Sequence, residues 1–204
     1  MCANLTDVDD RSSFNDDEYV LEQKVLSLGS EYYIKDSQRQ NVGYCFKKPL
    51  KIKKEFSVFR SDKKKNELFK VLQRNMLDLT GLYEVVQASS NKTVGHLKRN
   101  LLKGSLLDEW KIMDKEKQDV GRIIDNTFFR RALRFKGLKK IPYRYTIYQE
   151  NKKIGVCKKR VSLFKNMYKL QIRKEPDKII DRRLLISMLI LLDEVEEKFR
   201  KIQK

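Results

Sequence analysis

Residues 181–204 read DRRLLISMLILLDEVEEKFRKIQK, and this stretch decides the fold. The run from Leu184 to Leu192 is apolar except at Ser187, whose hydroxyl can bond back to the carbonyl of Arg183. Asp181 is a suitable N-cap, with Asp177 as the alternative, so the pattern predicts a helix over about residues 182–201. A helix that is apolar on every face must be buried on every side. The rest of the chain therefore has to enclose it.

A recurring unit upstream of this helix indicates what encloses it. Each unit is an alternating apolar run, a polar turn, and then Val-Gly or Ile-Gly at the start of a second run. This pattern predicts β-hairpins, with a bulge or sharp bend at each glycine. The four units begin at Tyr32, Leu82, Trp110 and Tyr145, and their glycines are Gly43, Gly95, Gly121 and Gly155. Further strand-like runs at 18–26, 55–60, 67–74 and 167–173 bring the count to about twelve strands, while 128–135 is more typical of a short helix.

The strand count and the apolar helix together favour a closed architecture. With about 4.8 Å between strands and a tilt of about 40°, twelve strands close with a radius of roughly 12 Å, which leaves room for one axial helix. The sequence therefore predicts a mainly β (α+β) domain over residues 19–204. In it, a closed antiparallel barrel of about twelve strands encloses the C-terminal helix. A helix packed between the two sheets of a sandwich is the alternative.

The charge is distributed unevenly along the chain. Its net charge is +18, but the first 18 residues carry −5, so the body from Tyr19 onward carries +23. The first 18 residues also lack apolar periodicity, so they are predicted to form an acidic, poorly ordered tail. A body this basic attracts nucleic acid, anionic lipid headgroups or acidic proteins.

The hairpins with Val-Gly or Ile-Gly, followed by Asp181-Arg182-Arg183 and an all-apolar helix, resemble the tubby C-terminal-like superfamily. The nearest branch is the LURP-one-related proteins, and the phospholipid scramblases are cousins. The resemblance covers about residues 19–204 and implies a twelve-stranded barrel around a central helix. Because tubby proteins bind phosphoinositide headgroups through surface Lys and Arg, it also implies a lipid-binding role. The cysteine-rich segment and membrane-inserting end of eukaryotic scramblases are not visible, so scramblase activity is not expected.

Four basic clusters are the candidate anion-binding sites. Two of them supply the predicted site, because hairpin turns project from a barrel rim. Its members are Lys47, Lys48, Lys51, Lys53, Lys54, Lys63, Lys64 and Lys65. The other clusters lie at residues 130–140 and 158–160.

Catalytic and metal sites are not predicted. His96 is the only histidine and is interpreted as an ordinary strand residue, and Cys45 and Cys157 are interpreted as small buried hydrophobic residues. The acidic residues 193, 194, 196 and 197 are interpreted as solvated charge on the emerging helix. No phosphate-binding loop is present, so neither a cofactor nor an enzymatic activity is expected.

Three functions remain open at this stage. The first is a non-enzymatic module that binds an anionic membrane surface or a phosphorylated headgroup. The alternatives are a nucleic-acid-binding protein and a protein-interaction scaffold, and the oligomeric state is open. Three widely spaced cysteines, no secretory pattern and a longest apolar run of nine residues predict a soluble cytoplasmic protein, with peripheral membrane association as an option.

Overall fold

The fold is built from twelve strands and one helix. The computed structural model describes residues 13–24, 30–48, 53–75, 81–100, 109–126, 143–161, 166–173 and 180–202. Its elements are β1 (Glu18–Gln23), β2 (Glu31–Lys35), β3 (Asn41–Lys47), β4 (Glu55–Phe59), β5 (Glu67–Gln73), β6 (Leu82–Gln87), β7 (Thr93–Asn100), β8 (Glu109–Met113), β9 (Asp119–Asp125), β10 (Arg144–Gln149), β11 (Lys152–Val161), β12 (Asn166–Ile172) and α1 (Arg182–Ile202).

The strands form one closed antiparallel sheet. Each strand pairs with its neighbour in sequence, and β1 closes the circle by pairing with β12, for example at Tyr19 opposite Leu170. The predicted barrel of about twelve strands is therefore confirmed, and the sandwich alternative is wrong. Closure removes the unpaired sheet edges that an open sheet of this length would expose. The predicted helix at 128–135 lies outside the described residues.

The helix lies where the sequence places it. Asp181 caps it, because its Oδ1 accepts a hydrogen bond from the Arg183 amide at 2.9 Å. Every residue from Leu184 to Leu192 is at most 2% exposed, and the Ser187 hydroxyl donates to the Arg183 carbonyl at 2.7 Å. Burying eight aliphatic side chains at about 2 kcal/mol each contributes up to about 16 kcal/mol, which makes the helix the centre of the core.

The hairpin glycines allow the wall to bend onto this helix. The five hairpins whose turns the structure describes all have a register shift beside the turn, as the glycine positions predicted for four of them. At Gly95 an added Cβ would lie 2.5 Å from the Met113 carbonyl oxygen and 2.9 Å from Leu184 Cδ1. A larger residue there would push the wall away from the first turn of the helix.

Antiparallel pairing gives the barrel two distinct ends. The five hairpin turns and the N-terminus of α1 share one end, here named the hairpin end. The first residues of β2, β4 and β12 and the last residues of β3, β5 and β11 share the opposite end, here named the loop end. Since α1 runs from the hairpin end to the loop end, Asp193 and Glu194 lie at the loop end.

Part of the predicted acidic tail is described. Residues 1–12 lie outside the described residues, so poor order there stays a prediction. Phe14 is only 3% exposed, and its ring packs edge-on against Phe69 with centroids 5.7 Å apart. Asp17 binds Arg182 at 2.8 Å, directly at the start of α1. Residues 14–17 thus close the hairpin end beneath the helix.

Candidate anion-binding site

The predicted lysines fall into two groups at opposite ends of the barrel. Lys47, Lys48, Lys53 and Lys54 flank the β3–β4 connection at the loop end, and Lys51 lies outside the described residues. Lys63, Lys64 and Lys65 occupy the β4–β5 turn, which begins and ends at the hairpin end. A flat surface that approaches one end of the barrel can therefore contact only one of the two groups.

The loop-end lysines have partners. Lys47 and Lys54 point to the same carboxylate, with their Nζ atoms 2.7 and 3.4 Å from Glu194 Oε1. Lys48 binds Glu55, and Lys53 Nζ donates to the Arg74 carbonyl at 3.1 Å. Much of the positive charge of this group is therefore neutralised within the fold. Lys47 faces the barrel interior, on the same side of β3 as buried Cys45, which explains why it reaches the helix.

The interpretation of Asp193 and Glu194 as solvated charge is wrong. Asp193 is 0% and Glu194 3% exposed, whereas the side chains of residues 196 and 197 lie outside the described ones. The barrel wall extends past the apolar run of the helix, and its inward positions at the loop end are polar. These positions give Asp193 its partners: the hydroxyl of Tyr32 (2.8 Å), Nδ2 of Asn166 (3.0 Å), the hydroxyl of Tyr168 (3.1 Å) and Nζ of Lys159 (3.5 Å).

The charge pattern of the sequence does not reveal that Lys159 is a buried structural residue. In the sequence it belongs to the basic run 158–160, yet its side chain is only 2% exposed because strand parity points it inward. Its Nζ donates to the Tyr168 hydroxyl at 2.8 Å and lies over that ring. Lys158 and Arg160, on the opposite face of β11, are exposed. Counting inward positions from Cys157 would have found this residue.

Charge from the two lysines controls the protonation of Glu194. Burial alone would raise the pKa of this carboxyl, but the hydrogen bond and charge of Lys47, with the charge of Lys54, hold it below its usual value. A depressed folded-state pKa stabilises the fold above the unfolded pKa, and this contribution is lost as pH falls through the folded value.

Glu194→Gln is therefore expected to reduce the acid sensitivity of the protein. At pH values below 4.5, the usual pKa of a glutamate carboxyl, acidification should lower the free energy of unfolding of the wild type more steeply than that of the variant. Urea denaturation midpoints between about pH 3 and 6 measure the difference. Glu116→Gln, on the exposed β8–β9 turn, is the matched control. Parallel pH profiles for Glu194→Gln and wild type would contradict the assignment.

The β4–β5 turn is the more accessible cationic group. Lys63, Lys64 and Lys65 are all exposed, and no ion pair between them and a carboxylate occurs in the described part of the chain. The adjacent Asp62 instead accepts a hydrogen bond from the Tyr33 hydroxyl at 3.2 Å. Lys64 adopts a left-handed conformation (φ 54°), and its Nζ lies 3.5 Å from the centre of the Phe46 ring. The turn thus folds back against the outer wall through Lys64 and keeps three exposed lysines next to one another.

The residues that could have suggested chemistry, His96, Cys45 and Cys157, lie in strands of the barrel wall. His96 is 5% exposed with Nδ1 3.1 Å from the Asp114 carbonyl oxygen. Cys45 and Cys157 are fully buried, as predicted, and are not joined in a disulfide. Burial raises the pKa of the Cys45 thiol. Over the described ranges, no group of three or more His, Cys, Asp or Glu side chains could hold a metal ion.

Comparison with known proteins identifies the fold family. The family model described as LURP-one-related matches residues 42–193, from the return strand of the first hairpin to the buried aspartate of the helix. The chain belongs to the LURP-one-related family. This family is part of the tubby-like superfamily, whose members are generally non-catalytic binding modules. Comparison with curated proteins and with solved structures gave no significant match.

The match with the LURP-one-related family covers the elements that position the candidate site. It includes both lysine groups and all the barrel contacts of Asp193 except that with Tyr32. Among the described residues, no helix combines the length and the apolar character needed to cross a bilayer. Membership of the LURP-one-related family supports a binding module.

Proposed function

We propose that this LURP-one-related protein is a non-enzymatic module that binds anionic phospholipid surfaces reversibly. The observation that carries the proposal is the exposed β4–β5 turn with Lys63, Lys64 and Lys65. Membership of a family of binding modules supports it. So does the net charge of +23 from Tyr19 onward, because that charge attracts the protein to any anionic membrane.

The helix α1 fills the interior of the barrel, which favours a binding site on the outside. Leu185, Leu189 and Leu192 of α1 occupy the axis and are at most 1% exposed, so a ligand must bind outside the wall or at an end. At the loop end, the charges of Lys47 and Lys54 are shared with Glu194. We therefore narrow the predicted site to the β4–β5 turn, with exposed Lys53 as a separate, weaker contact.

The energetics favour weak, salt-sensitive binding. Each lysine near an anionic leaflet contributes about 1 kcal/mol, so three contribute about 3 kcal/mol. This attraction falls off within a Debye length, about 8 Å at physiological salt. The lysines of the turn are therefore expected to hold the protein at the membrane only in combination with the overall basic field.

Co-sedimentation with vesicles tests this function. The protein is expected to bind vesicles that contain phosphatidylserine and not vesicles of phosphatidylcholine alone, with weaker binding at about 200 than at about 50 mM salt. Lys63→Glu combined with Lys65→Glu should weaken binding at least about tenfold, since two attractive charges become repulsive. Lys64 is retained because it packs on Phe46.

A matched control separates the turn from the general charge. Lys98→Glu with Arg122→Glu makes the same change in net charge at exposed positions of β7 and β9, on another side of the barrel. It should weaken vesicle binding much less than the turn variant. Equal losses in both variants would reject the turn as the contact, and wild-type binding that ignores lipid charge would reject the proposed function.

A further inference from the structure

A line of cations crosses the outer wall, away from the β4–β5 turn. The register places Lys98 of β7 opposite Lys111 of β8, and Lys111 opposite Arg122 of β9. Arg122 lies opposite Tyr148 of β10, which in turn lies opposite Lys153 of β11. We name Lys98, Lys111, Arg122 and Lys153 the outer row. It runs across five neighbouring strands, over roughly 19 Å at about 4.8 Å per strand.

The outer row places positive charges opposite each other, although opposite charges on neighbouring strands would stabilise the sheet. Like charges directly opposite each other on neighbouring strands are destabilising, and the row contains two such pairs, Lys98 opposite Lys111 and Lys111 opposite Arg122. Carboxylates compensate only partly: Asp119 binds Lys111 and is 53% exposed, and Glu109 lies nearby on β8. β10, β11 and β12, which include Lys153 of the row, hold seven Lys and Arg and no Asp or Glu. Two of these seven have carboxylate partners on other elements, Lys159 on Asp193 and Lys169 on Glu18, so the wall keeps an excess of positive charge.

The outer row also includes a stacking surface. The Arg122 guanidinium lies over the Tyr148 ring at 5.5 Å, and Tyr148 is half-buried on the outer face. Guanidinium planes and aromatic rings are the groups on which unpaired bases stack. By contrast, Tyr145 and Tyr168, which also neighbour basic residues in sequence, face the interior and are at most 2% exposed.

The curvature of the barrel wall favours a flexible polymer over a flat membrane as the ligand of the outer row. Four strand spacings of a twelve-stranded barrel correspond to about 120° of its circumference. A flat bilayer touching one point of the row therefore leaves its ends well away from the headgroups. A flexible single strand, with one negative charge per nucleotide, can follow the curve and meet a cation on almost every strand.

We propose that the outer row binds single-stranded nucleic acid, with phosphates on Lys98, Lys111, Arg122 and Lys153 and a base at Tyr148. Contacts of this kind are to the backbone and to ring faces, so little sequence preference is expected. The proposal does not rest on membrane binding, because it uses different residues on a different side of the barrel.

Binding of a labelled oligouridine of about twelve nucleotides, followed by fluorescence anisotropy, tests the inference. Four phosphate contacts give a slope of log affinity against log salt of about −2.8, and removal of two reduces it to about −1.4. Lys98→Glu with Arg122→Glu should show this smaller slope and at least about tenfold weaker binding. Both changes place a carboxylate opposite Lys111, so the variant should fold. If its melting temperature falls, Lys98→Gln with Arg122→Gln replaces it.

The turn variant Lys63→Glu with Lys65→Glu is the control for overall charge. It should change oligouridine binding less than about threefold while it weakens vesicle binding, the reverse of the outer-row variant. Equal loss of oligouridine binding in both variants would overturn the outer row as a site. Polyglutamate competing as well as oligouridine would reject nucleic acid in favour of an acidic protein partner, and no oligouridine binding at low salt would also reject it. Failure of vesicle binding alone would leave this inference standing.

Discussion

Leu189→Asp is expected to prevent folding. Leu189 is 0% exposed and lies midway along the enclosed part of α1, so every rotamer of an aspartate there remains inside the barrel. An unpaired buried charge costs several kcal/mol. A typical domain is stable by only about 5–15 kcal/mol in total, so this single change is expected to unfold the protein. Circular dichroism and solubility measure the result.

Leu189→Met provides the control for the Leu189→Asp variant. It conserves volume and polarity, so it should fold and melt cooperatively, with a loss below about 1.5 kcal/mol. A soluble Leu189→Asp protein with a cooperative thermal transition would show that the helix is not enclosed.

Lys159→Met is expected to destabilise the protein by about 3–5 kcal/mol. It removes the cation from a pair in which both side chains are at most 2% exposed and leaves the Asp193 carboxylate buried. The Asp193→Leu variant should show a similar loss, because it removes the negative partner of buried Lys159 and the acceptor that the hydroxyls of Tyr32 and Tyr168 share. Urea denaturation of both variants gives the free energies of unfolding.

The double variant Lys159→Met with Asp193→Leu gives the coupling between the two residues. Replacing a buried ion pair by apolar side chains is often close to neutral, so the double variant should be less destabilised than the sum of the single ones. Additive losses, or single variants within about 1 kcal/mol of wild type, would contradict a coupled buried pair.

Local patterns were sufficient to predict the barrel and its helix. Period-two runs with glycine in the return strand determine hairpins, and an apolar helix such as Leu184–Leu192 requires an enclosure. Both are properties of short segments, which is why strand number, bulges and helix bounds could be predicted without any long-range contact. The choice of a closed barrel over a sandwich followed from counting strands around the helix.

The candidate site depended on contacts that short segments do not reveal. Glu194 is 140 or more residues from Lys47 and Lys54, so no local pattern indicates that the helix neutralises two of the predicted lysines. Runs of charge are also ambiguous until strand parity is applied. Lys158 and Lys159 are adjacent, yet one is exposed and the other is buried against Tyr168.

Predicting the outer row would have required the register between strands as well as the inward or outward direction of each side chain. Lys98, Lys111, Arg122 and Lys153 are separated by 11 to 31 positions in the chain, and none stands in the lysine groups predicted as the site. Only the pairing of β7 through β11 brings them into one line. Aligning the hairpins around their glycines would have given part of this register, since Gly95, Gly121 and Gly155 all lie beside a register shift.

If this LURP-one-related barrel acts through the charge on its exterior, anionic membranes are its first target. The most direct measurement is the partition of the unmodified protein between vesicles with and without phosphatidylserine at low salt. We expect the protein to bind the anionic vesicles, to be released as salt rises, and not to bind the neutral vesicles. Equal partition into both kinds of vesicle, or no binding to either, would contradict it.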